Sequence, residues 1–496
     1  MSRPARWIAI CAALVVTGCA RYPVNPPLHY FDTSKGYRFH NLALGEKNTD
    51  DTFIIVSLSG GGTRAASLAY GVLQTLRGVR IDGGEKTLLD EVDAITAVST
   101  SSVAAAYYGL YGEEAFFRDF KDEFLYKKIQ RGLILRTLAP WHWPRLLSPY
   151  FGRSDLAEEY LDRRLFRGQT YGDMLKWRPF IVLNATDMSL GAQFSFTQGH
   201  FDQLCSDLSE VHISRAVTAS LAFSVAFTPL TLKNYPKSQC GYTRPTWVED
   251  ALKEELDVSS RRYDRAKNSV AYEDTKQRPY IHLLDGGISD NIGIRAAAIA
   301  FMTRDTPWSL IDRISDGRIK RLVVIIVDAK TKGTFKRDRR AKPPGIPSVL
   351  VASAGNPMAN YSTETVKTLR DYFSHLVETA EGFDRRRKGC EELAASLCRD
   401  SSSKMSCEEE LRRECYAKMH ATESARPPNP ELYLIHVRFE VIDDEDLRRR
   451  LETMPTSMQL PRDDVDLLIR ETPTILEESD DYQRLLHDLV AEGTKD

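Results

Sequence analysis

The chain has 496 residues, which is more than a small domain needs and suits one large domain with an appendage. Its 67 basic and 69 acidic side chains give a formal net charge of −2, so no basic excess indicates nucleic acid as a partner. Hydrophobic residues make up 42% of the chain, a proportion typical of globular proteins and not of bundles of membrane helices.

The first residues have the layout of a bacterial export signal. Arg3 and Arg6 precede an apolar run over residues 7–16, which is too short to span a bilayer as a helix. The sequence Val-Thr-Gly-Cys that ends at Cys19 resembles the lipobox of bacterial lipoproteins. This resemblance implies a signal peptide over residues 1–18 and a lipid on Cys19. An ordinary secretory signal with an incidental cysteine is the alternative.

The same resemblance implies a place in the bacterial cell envelope. Ala20 stands where an aspartate would retain a bacterial lipoprotein at the inner membrane, so the resemblance favours a lipid anchor in the outer membrane. Residues 19–50 are rich in proline and polar side chains, and we expect them to form a lipidated tether.

Apolar runs alternate with helical patterns over residues 51–335. The runs that read as buried strands are 52–58, 92–98, 178–186, 280–285 and 321–329. Because strands that alternate with helices favour a parallel sheet covered on both faces, we predict an α/β domain here. Residues 336–496 begin with a proline-rich linker and read as a mostly helical region. One strand over 431–442 could rejoin the main sheet at an edge.

The cysteines indicate disulfide bonds. Six follow the lipobox cysteine, and an even number in an exported chain favours pairing. The last four are spaced 8, 9 and 8 residues apart, which suits two antiparallel helices over 390–415 and the nested pairs Cys390–Cys415 and Cys398–Cys407. Cys205 and Cys240 then remain as the third pair. A zinc site is the competing interpretation, but these spacings do not fit the short cysteine pairs of zinc sites.

The first chemical motif is the glycine loop "SGGGTR", between a strand and a helix. Its glycines allow unusual φ angles and a close backbone approach, and the helix behind it presents free N–H groups. Such a loop can hold a phosphate or a transient oxyanion. No G-K-[ST] follows, which excludes the phosphate loop of nucleotide-binding proteins.

The second motif is "DAITAVSTSSVAAAYYG", a strand, a serine cluster and a helix. A nucleophile elbow needs small residues two positions before and after the serine, because its turn is crowded. Ser99 meets this condition with Ala97 and Ser101, whereas Ser101 itself has a valine two positions on and Ser102 lies further into the helix. The alternative is that these hydroxyls cap the helix.

The third motif is "HLLDGG", in which Asp285 ends a strand ahead of two glycines. Open α/β sheets place their sites at the carboxyl ends of strands, so this carboxylate is a candidate site residue. The alternative is an Asx-turn without a chemical role.

Together and in this order, the three motifs resemble the patatin-like phospholipase family over roughly residues 52–330. The resemblance implies a three-layer α/β/α fold with a mainly parallel central sheet. It also implies a lipid acyl hydrolase of the phospholipase A, lysophospholipase or esterase type, which acts on phospholipid or another acyl ester through an acyl-enzyme and without metal or cofactor. The residues that match the family are Ser99 as nucleophile, Asp285 as base, and Gly60, Gly61 and Gly62 with Arg64 behind them as the oxyanion loop.

The elbow departs from the family pattern, because Ala97 and Ser101 stand where glycines are usual. A catalytically impaired lipid-binding or scaffold protein on the same fold is therefore the alternative function. A Ser-His-Asp hydrolase would need a late histidine in a loop, and none of the candidates His375, His420, His436 and His487 lies in such a context. Residues 124–151 mix basic side chains with tryptophans; a packed helix is the preferred interpretation, and an anionic membrane surface is the alternative.

Overall fold

The computed structural model of the chain describes residues 21–223, 226–253, 260–305, 309–332, 338–339, 341, 343–399, 403–422, 426–427 and 429–493. The predicted signal peptide and Cys19 lie outside the described residues.

A twisted central sheet forms because long apolar runs rich in Val, Ile and Leu can be buried on both faces. It contains eight strands, and a separate hairpin contains two. The strands are Thr52–Leu58 (β1), Arg80–Ile81 (β2), Lys86–Thr87 (β3), Val92–Val98 (β4), Phe180–Asp187 (β5), Gln193–Ser195 (β6), Leu230–Lys233 (β7), Tyr280–Asp285 (β8), Arg321–Asp328 (β9) and Glu431–Arg438 (β10).

The order of the sheet is β10-β9-β1-β4-β5-β8-β7, and β6 pairs with β5 off this path. Neighbouring strands from β10 to β5 are parallel, whereas β8 runs antiparallel to β5 and β7 antiparallel to β8. The predicted mainly parallel sheet is therefore confirmed, with an antiparallel end that the apolar runs do not reveal.

The helices connect the strands and cover the sheet. No helix among the described residues is long and apolar enough to cross a membrane. The helices are Thr63–Gly78 (α1), Ser101–Phe120 (α2), Ile129–Leu138 (α3), Trp143–Leu146 (α4), Arg153–Leu161 (α5), Gln198–Asp202 (α6), Ile213–Ser220 (α7), Lys237–Cys240 (α8), Thr246–Lys253 (α9), Arg261–Ala271 (α10), Gly287–Asp290 (α11), Arg295–Met302 (α12), Leu310–Ser315 (α13), Ile346–Leu397 (α14), Lys404–Lys418 (α15), Glu445–Glu452 (α16), Arg462–Glu477 (α17) and Asp480–Gly493 (α18).

Two hydrophobic cores lie on opposite faces of the sheet. Along β1, Ile54, Val56 and Leu58 belong to the core that holds α1, α2, α7, α17 and α18. The alternate residues Phe53 and Ile55 belong to the core that holds α12, α13 and α14. Since successive side chains of a strand point to opposite faces, this pattern makes the molecule a three-layer α/β/α structure, as predicted.

The C-terminal region is part of this structure and not a separate body. Strand β10 pairs with β9 over its whole length, from Glu431 beside Arg321 to Arg438 beside Asp328. Helix α17 packs along α1 in the first core. The predicted boundary at residue 335 therefore does not separate two cores, because β10 supplies the edge of the sheet and α17 covers it.

The cysteine hairpin is built from the end of α14 and from α15. The helical stretches predicted between the proline-rich linker and Cys398 are joined in the single helix α14, which begins at Ile346 near the end of that linker. Sulfur atoms lie 2.06 Å apart in Cys205–Cys240, 1.92 Å in Cys390–Cys415 and 2.02 Å in Cys398–Cys407. This is the pairing that the sequence spacing predicts.

The segment before β1 differs from the expected free tether. Tyr37 is buried, and its ring stacks on Phe180 with centroids 5.0 Å apart. Arg38 forms a buried ion pair with Asp202 at 2.6 Å. The Leu28 N–H also donates to the Cys205 carbonyl. The segment is held because its few large side chains find partners on the domain, which composition alone does not reveal.

Gly71 tests how closely the C-terminal helix α17 packs on α1. A methyl group at Gly71 would lie 2.9 Å from Thr472 Cβ and closer still to its hydroxyl, inside van der Waals distance. We expect Gly71→Ala to lower the free energy of unfolding by about 1–3 kcal/mol through this overpacking. Gly78→Ala in the same helix meets no atom within 4 Å and should leave stability equal or slightly higher. Equal melting temperatures for the two variants would contradict this packing.

Candidate active site

Ser99 occupies a sharp turn between β4 and α2. Its φ is +55°, a left-handed value that residues other than glycine adopt at a cost of order 1–3 kcal/mol. The Ser99 N–H donates to Ser220 Oγ at 2.8 Å, which helps to hold this conformation. The turn therefore has the strained backbone of a nucleophile elbow, although the usual glycines are absent.

The two residues that replace these glycines fit into the turn because both are small and the hydroxyl of one has a hydrogen-bond partner. Ala97 and Ser101 are fully buried, and the Ser101 hydroxyl donates to the Ser59 carbonyl at 2.7 Å. The Ser102 hydroxyl lies 2.8 Å from Ser220 Oγ. Both neighbouring serines thus have partners of their own, and neither is bonded to a carboxylate.

Ser99 and Asp285, 186 residues apart, are brought together. The Ser99 hydroxyl donates to Asp285 Oδ2 at 2.9 Å, and the Gly287 N–H donates to Oδ1 of the same carboxylate at 2.8 Å. Burial raises the pKa of Asp285 to about 6, although the two hydrogen bonds act in the opposite direction. The carboxylate is therefore ionised at neutral pH and can accept a proton from the serine.

Asp285 reaches this position by a different route from the one the sequence suggests. A parallel strand would end at the same edge as β4, but β8 runs antiparallel to β5. It enters from the carboxyl edge and stops where Asp285 faces Ala185 of β5. Val98, just before Ser99, faces Asn184. Asp285 thus lies at the level of Ser99, because β8 ends beside Ala185, the residue of β5 that follows the partner of Val98.

The last residue of α7 and the residues just after it support both members of the pair. Ser220 Oγ accepts from the Ser99 N–H and donates to the Asn184 carbonyl at 2.6 Å. Two residues on, the Ala222 carbonyl accepts from the Asp285 N–H at 3.0 Å. In the sequence this stretch reads "ASLAFSVAF". Its small residues next to a serine were the available signal.

Two N–H groups of the glycine loop have no hydrogen-bond acceptor among the described residues. The Gly60 N–H donates to the Asn291 carbonyl at 2.9 Å, and the Thr63 N–H donates to the Ser457 carbonyl at 2.7 Å. Within the described part of the chain, the N–H groups of Gly61 and Gly62 have no hydrogen-bond partner. These two glycines have φ of +151° and +72°, a conformation that side chains disfavour. They are therefore the loop positions able to bind an anion.

Arg64 lies behind the glycine loop, as the sequence predicts, and ties the loop to distant parts of the backbone. Its guanidinium is buried and donates to the carbonyls of Ala329 at 3.0 Å and Met454 at 2.7 Å, and to Thr456 Oγ1 at 3.3 Å. Burial lowers the pKa of Arg64 to about 10, so the group stays charged at neutral pH. The sequence does not reveal these partners, because they lie 265 to 392 residues away from Arg64 along the chain.

The site contains no third titratable partner among the described residues. Asp285 bonds to Ser99 and to the Gly287 backbone, and no histidine contacts either member of the pair. His282, on the same strand as Asp285, is exposed and lies beside Thr231. Within the described ranges, no group of three His, Cys, Asp or Glu side chains could hold a metal ion.

The comparison with known families agrees with this geometry. Residues 56–298 match the family model "Patatin-like phospholipase", a range that includes the glycine loop, the elbow and Asp285. The chain has no significant match among curated proteins. Residues 56–298 of the chain belong to the patatin-like phospholipase family, a family of lipid acyl hydrolases.

Proposed function

We propose that the protein is a lipid acyl hydrolase that uses Ser99 as nucleophile and Asp285 as general base. The observation that supports this proposal most strongly is the hydrogen bond from the Ser99 hydroxyl to a buried carboxylate, made from a strained elbow. The retained pair also argues against the impaired lipid-binding protein, because a protein without catalysis has no need to hold a serine in this conformation.

The proposed reaction has two halves, and each proton that Asp285 accepts is passed on again. Ser99 Oγ attacks the ester carbonyl carbon while its proton passes to Asp285 Oδ2. The C–O bond to the alcohol then breaks, and Asp285 returns that proton to the leaving oxygen. Water repeats the sequence on the acyl-enzyme, with Asp285 as its base, and releases the fatty acid.

The negative charge that forms on the carbonyl oxygen of the substrate needs hydrogen-bond donors that are already in place. The N–H groups of Gly61 and Gly62 supply them in this proposal, because their φ angles orient them without side chains in the way. The Gly60 N–H is bonded to the Asn291 carbonyl, so Gly60 positions the loop and does not donate to the carbonyl oxygen of the substrate. Arg64 acts as a positioning residue, since it ties the loop to the segment around Met454.

The proposed location is the bacterial outer membrane, through a lipid on Cys19. The support is the leader and the lipobox-like sequence that ends at this residue. The disulfide-bonded pairs are consistent with an exported chain, because disulfides persist in oxidising compartments. The substrate would then be a phospholipid or another acyl ester of the envelope.

Replacement of the proposed nucleophile tests the function. Ser99→Ala should lower kcat/KM for p-nitrophenyl butyrate and for a fluorogenic phospholipid by about 10³-fold or more, because no acyl-enzyme can form. Ser102→Ala removes a neighbouring hydroxyl that is bonded to Ser220 and should stay within about tenfold of wild type. Both variants should melt within a few degrees of the wild-type protein.

Two results would contradict the assignment. Retained activity in a folded Ser99→Ala variant would place the nucleophile elsewhere. A folded wild-type protein without activity on any ester would favour the lipid-binding alternative.

The pH dependence tests the proposed base. Asp285 must be ionised to accept the serine proton, and burial raises its pKa to about 6. We expect kcat/KM to fall about tenfold per pH unit below 6 and to be level above about 7. A non-titrating ester and a melting curve at each pH separate this effect from substrate ionisation and unfolding. A midpoint near 4, typical of an exposed carboxyl group, would contradict the described environment.

A further inference from the structure

We propose that residues 127–153 bind an anionic phospholipid bilayer, and we call this segment the docking surface. The packed helix that the sequence favoured is only partly present: α3 buries Ile129 and partly buries Leu133, but its other large apolar side chains lie in solvent. The large hydrophobic residues exposed on this segment are Ile134, Leu135, Leu138, Trp141, Trp143, Leu147 and Tyr150.

The apolar side chains are clustered and prominent. Ile134, Leu135 and Leu138 share one face of α3 by their helical spacing, and Trp141 and Leu147 follow directly, 75% and 80% exposed. Single exposed apolar residues are ordinary on soluble proteins, but seven in one short segment are not. Tryptophan and leucine next to basic residues are typical of helices that lie in a membrane interface.

The charges of the segment have one sign. Residues 124–154 contain no aspartate or glutamate, whereas the chain as a whole has slightly more acidic than basic residues. The basic side chains of the segment are Lys127, Lys128, Arg131, Arg136, Arg145 and Arg153.

These cations are largely available to an external anion. Among the described residues, Arg145 is the only one of the six in an ion pair, and it shares Glu159 with Arg163. Arg136 lies over the Tyr160 ring at 4.9 Å and lines an open groove beside Leu135, Leu138 and Trp141. Apolar side chains beside unpaired cations complement the acyl chains and phosphates of an anionic lipid surface.

The first end of the docking surface connects to the glycine loop. The Met458 N–H donates to Gln130 Oε1 at 3.0 Å, and Gln130 lies on the first turn of α3. The residue before Met458, Ser457, accepts from the Thr63 N–H at the glycine loop. A lipid held on α3 therefore lies close in the fold to the loop that carries Gly61 and Gly62.

The second end connects to the Asp285 side of the site. The Ser154 N–H donates to Thr228 Oγ1 at 3.2 Å, and its hydroxyl donates to the Thr228 carbonyl. Thr228 follows the stretch whose Ala222 carbonyl accepts from the Asp285 N–H. The first end of the surface is thus linked by hydrogen bonds to the glycine loop, and the second end is bonded to Thr228, which follows Ala222 in the chain. Delivery of substrate from a docked bilayer rests on the proposed function, whereas docking itself does not.

Vesicle flotation tests the docking surface. All described contacts lie within residues 21–493, so the chain that begins at Arg21 is used, which also removes Cys19 as a lipid anchor. The Ser99→Ala background prevents hydrolysis of the vesicles. We expect binding to vesicles of equal parts phosphatidylcholine and phosphatidylglycerol, weaker binding to phosphatidylcholine alone, and a decrease with added salt.

Matched variants separate the apolar and the charged contributions. Trp141→Ser with Leu147→Ser should weaken binding at least about tenfold, a loss of at least about 1.4 kcal/mol. Arg131→Gln with Arg136→Gln should weaken binding to the anionic vesicles alone. The control, Leu397→Ser with Met405→Ser, removes two exposed apolar side chains from the cysteine hairpin and should bind as before.

The outcomes distinguish the two proposals. With an active Ser99, the Trp141 and Leu147 variant should keep hydrolysis of a soluble short-chain ester and lose hydrolysis of vesicle lipid. Absence of vesicle binding, or equal losses in the hairpin control, would overturn the docking surface while the esterase assay still reports on the site. A dimer that these substitutions dissociate would also overturn it, because the face would then join two copies of the chain.

Discussion

The hydrogen bond from Ser99 to Asp285 sets the requirements for the rest of the site. It needs a serine with positive φ, a conformation that a non-glycine residue keeps only when its neighbours enforce it. Strand β4 and helix α2 fix the chain on both sides of the turn, and Ser220 binds the N–H within it. The same serine also touches the backbone of Asn184 on the next strand. The reactive geometry is thus a product of packing across four elements.

The candidate site depends on parts of the chain beyond the range that matches the family. Residues 56–298 contain the three motifs, but the sheet is completed by β9 and β10, and α17 covers it. The segment 454–458 then binds Arg64 and the Thr63 N–H behind the glycine loop. The C-terminal region therefore holds the glycine loop in place. A truncation before it would remove the partner of the loop together with one edge of the sheet.

The long elements and the neighbouring positions of Ser99 and Asp285 could be predicted from the sequence, for physical reasons that also explain what could not. Strands β1, β4, β5, β8, β9 and β10 were predictable because each is a bounded apolar run. The short strands β6 and β7 carry too little pattern, and an apolar run does not reveal that β8 is antiparallel. Ser99 and Asp285 followed from local motifs. The roles of Ser220 and Arg64 did not, because their partners are distant in the chain.

The sequence pattern also did not predict which apolar side chains are exposed to solvent. Residues 124–151 were expected to pack, because tryptophan and leucine are most often buried. The structure buries Ile129 and exposes Trp141 and Leu147, since the neighbouring elements leave that face of the segment uncovered. The tether showed the opposite error, with Tyr37 buried in a stretch that composition marks as polar.

Covalent labelling of the elbow tests the central claim most directly. A fluorophosphonate that resembles an acyl ester loses fluoride to an activated serine, and the phosphonylated peptide is found by its mass. Fragmentation of that peptide separates Ser99 from Ser101 and Ser102. We expect one adduct, on Ser99, which forms much more slowly in Asp285→Asn because the serine then lacks its base. A folded protein that is labelled on another residue, or labelled equally fast without the Asp285 carboxylate, would contradict the account.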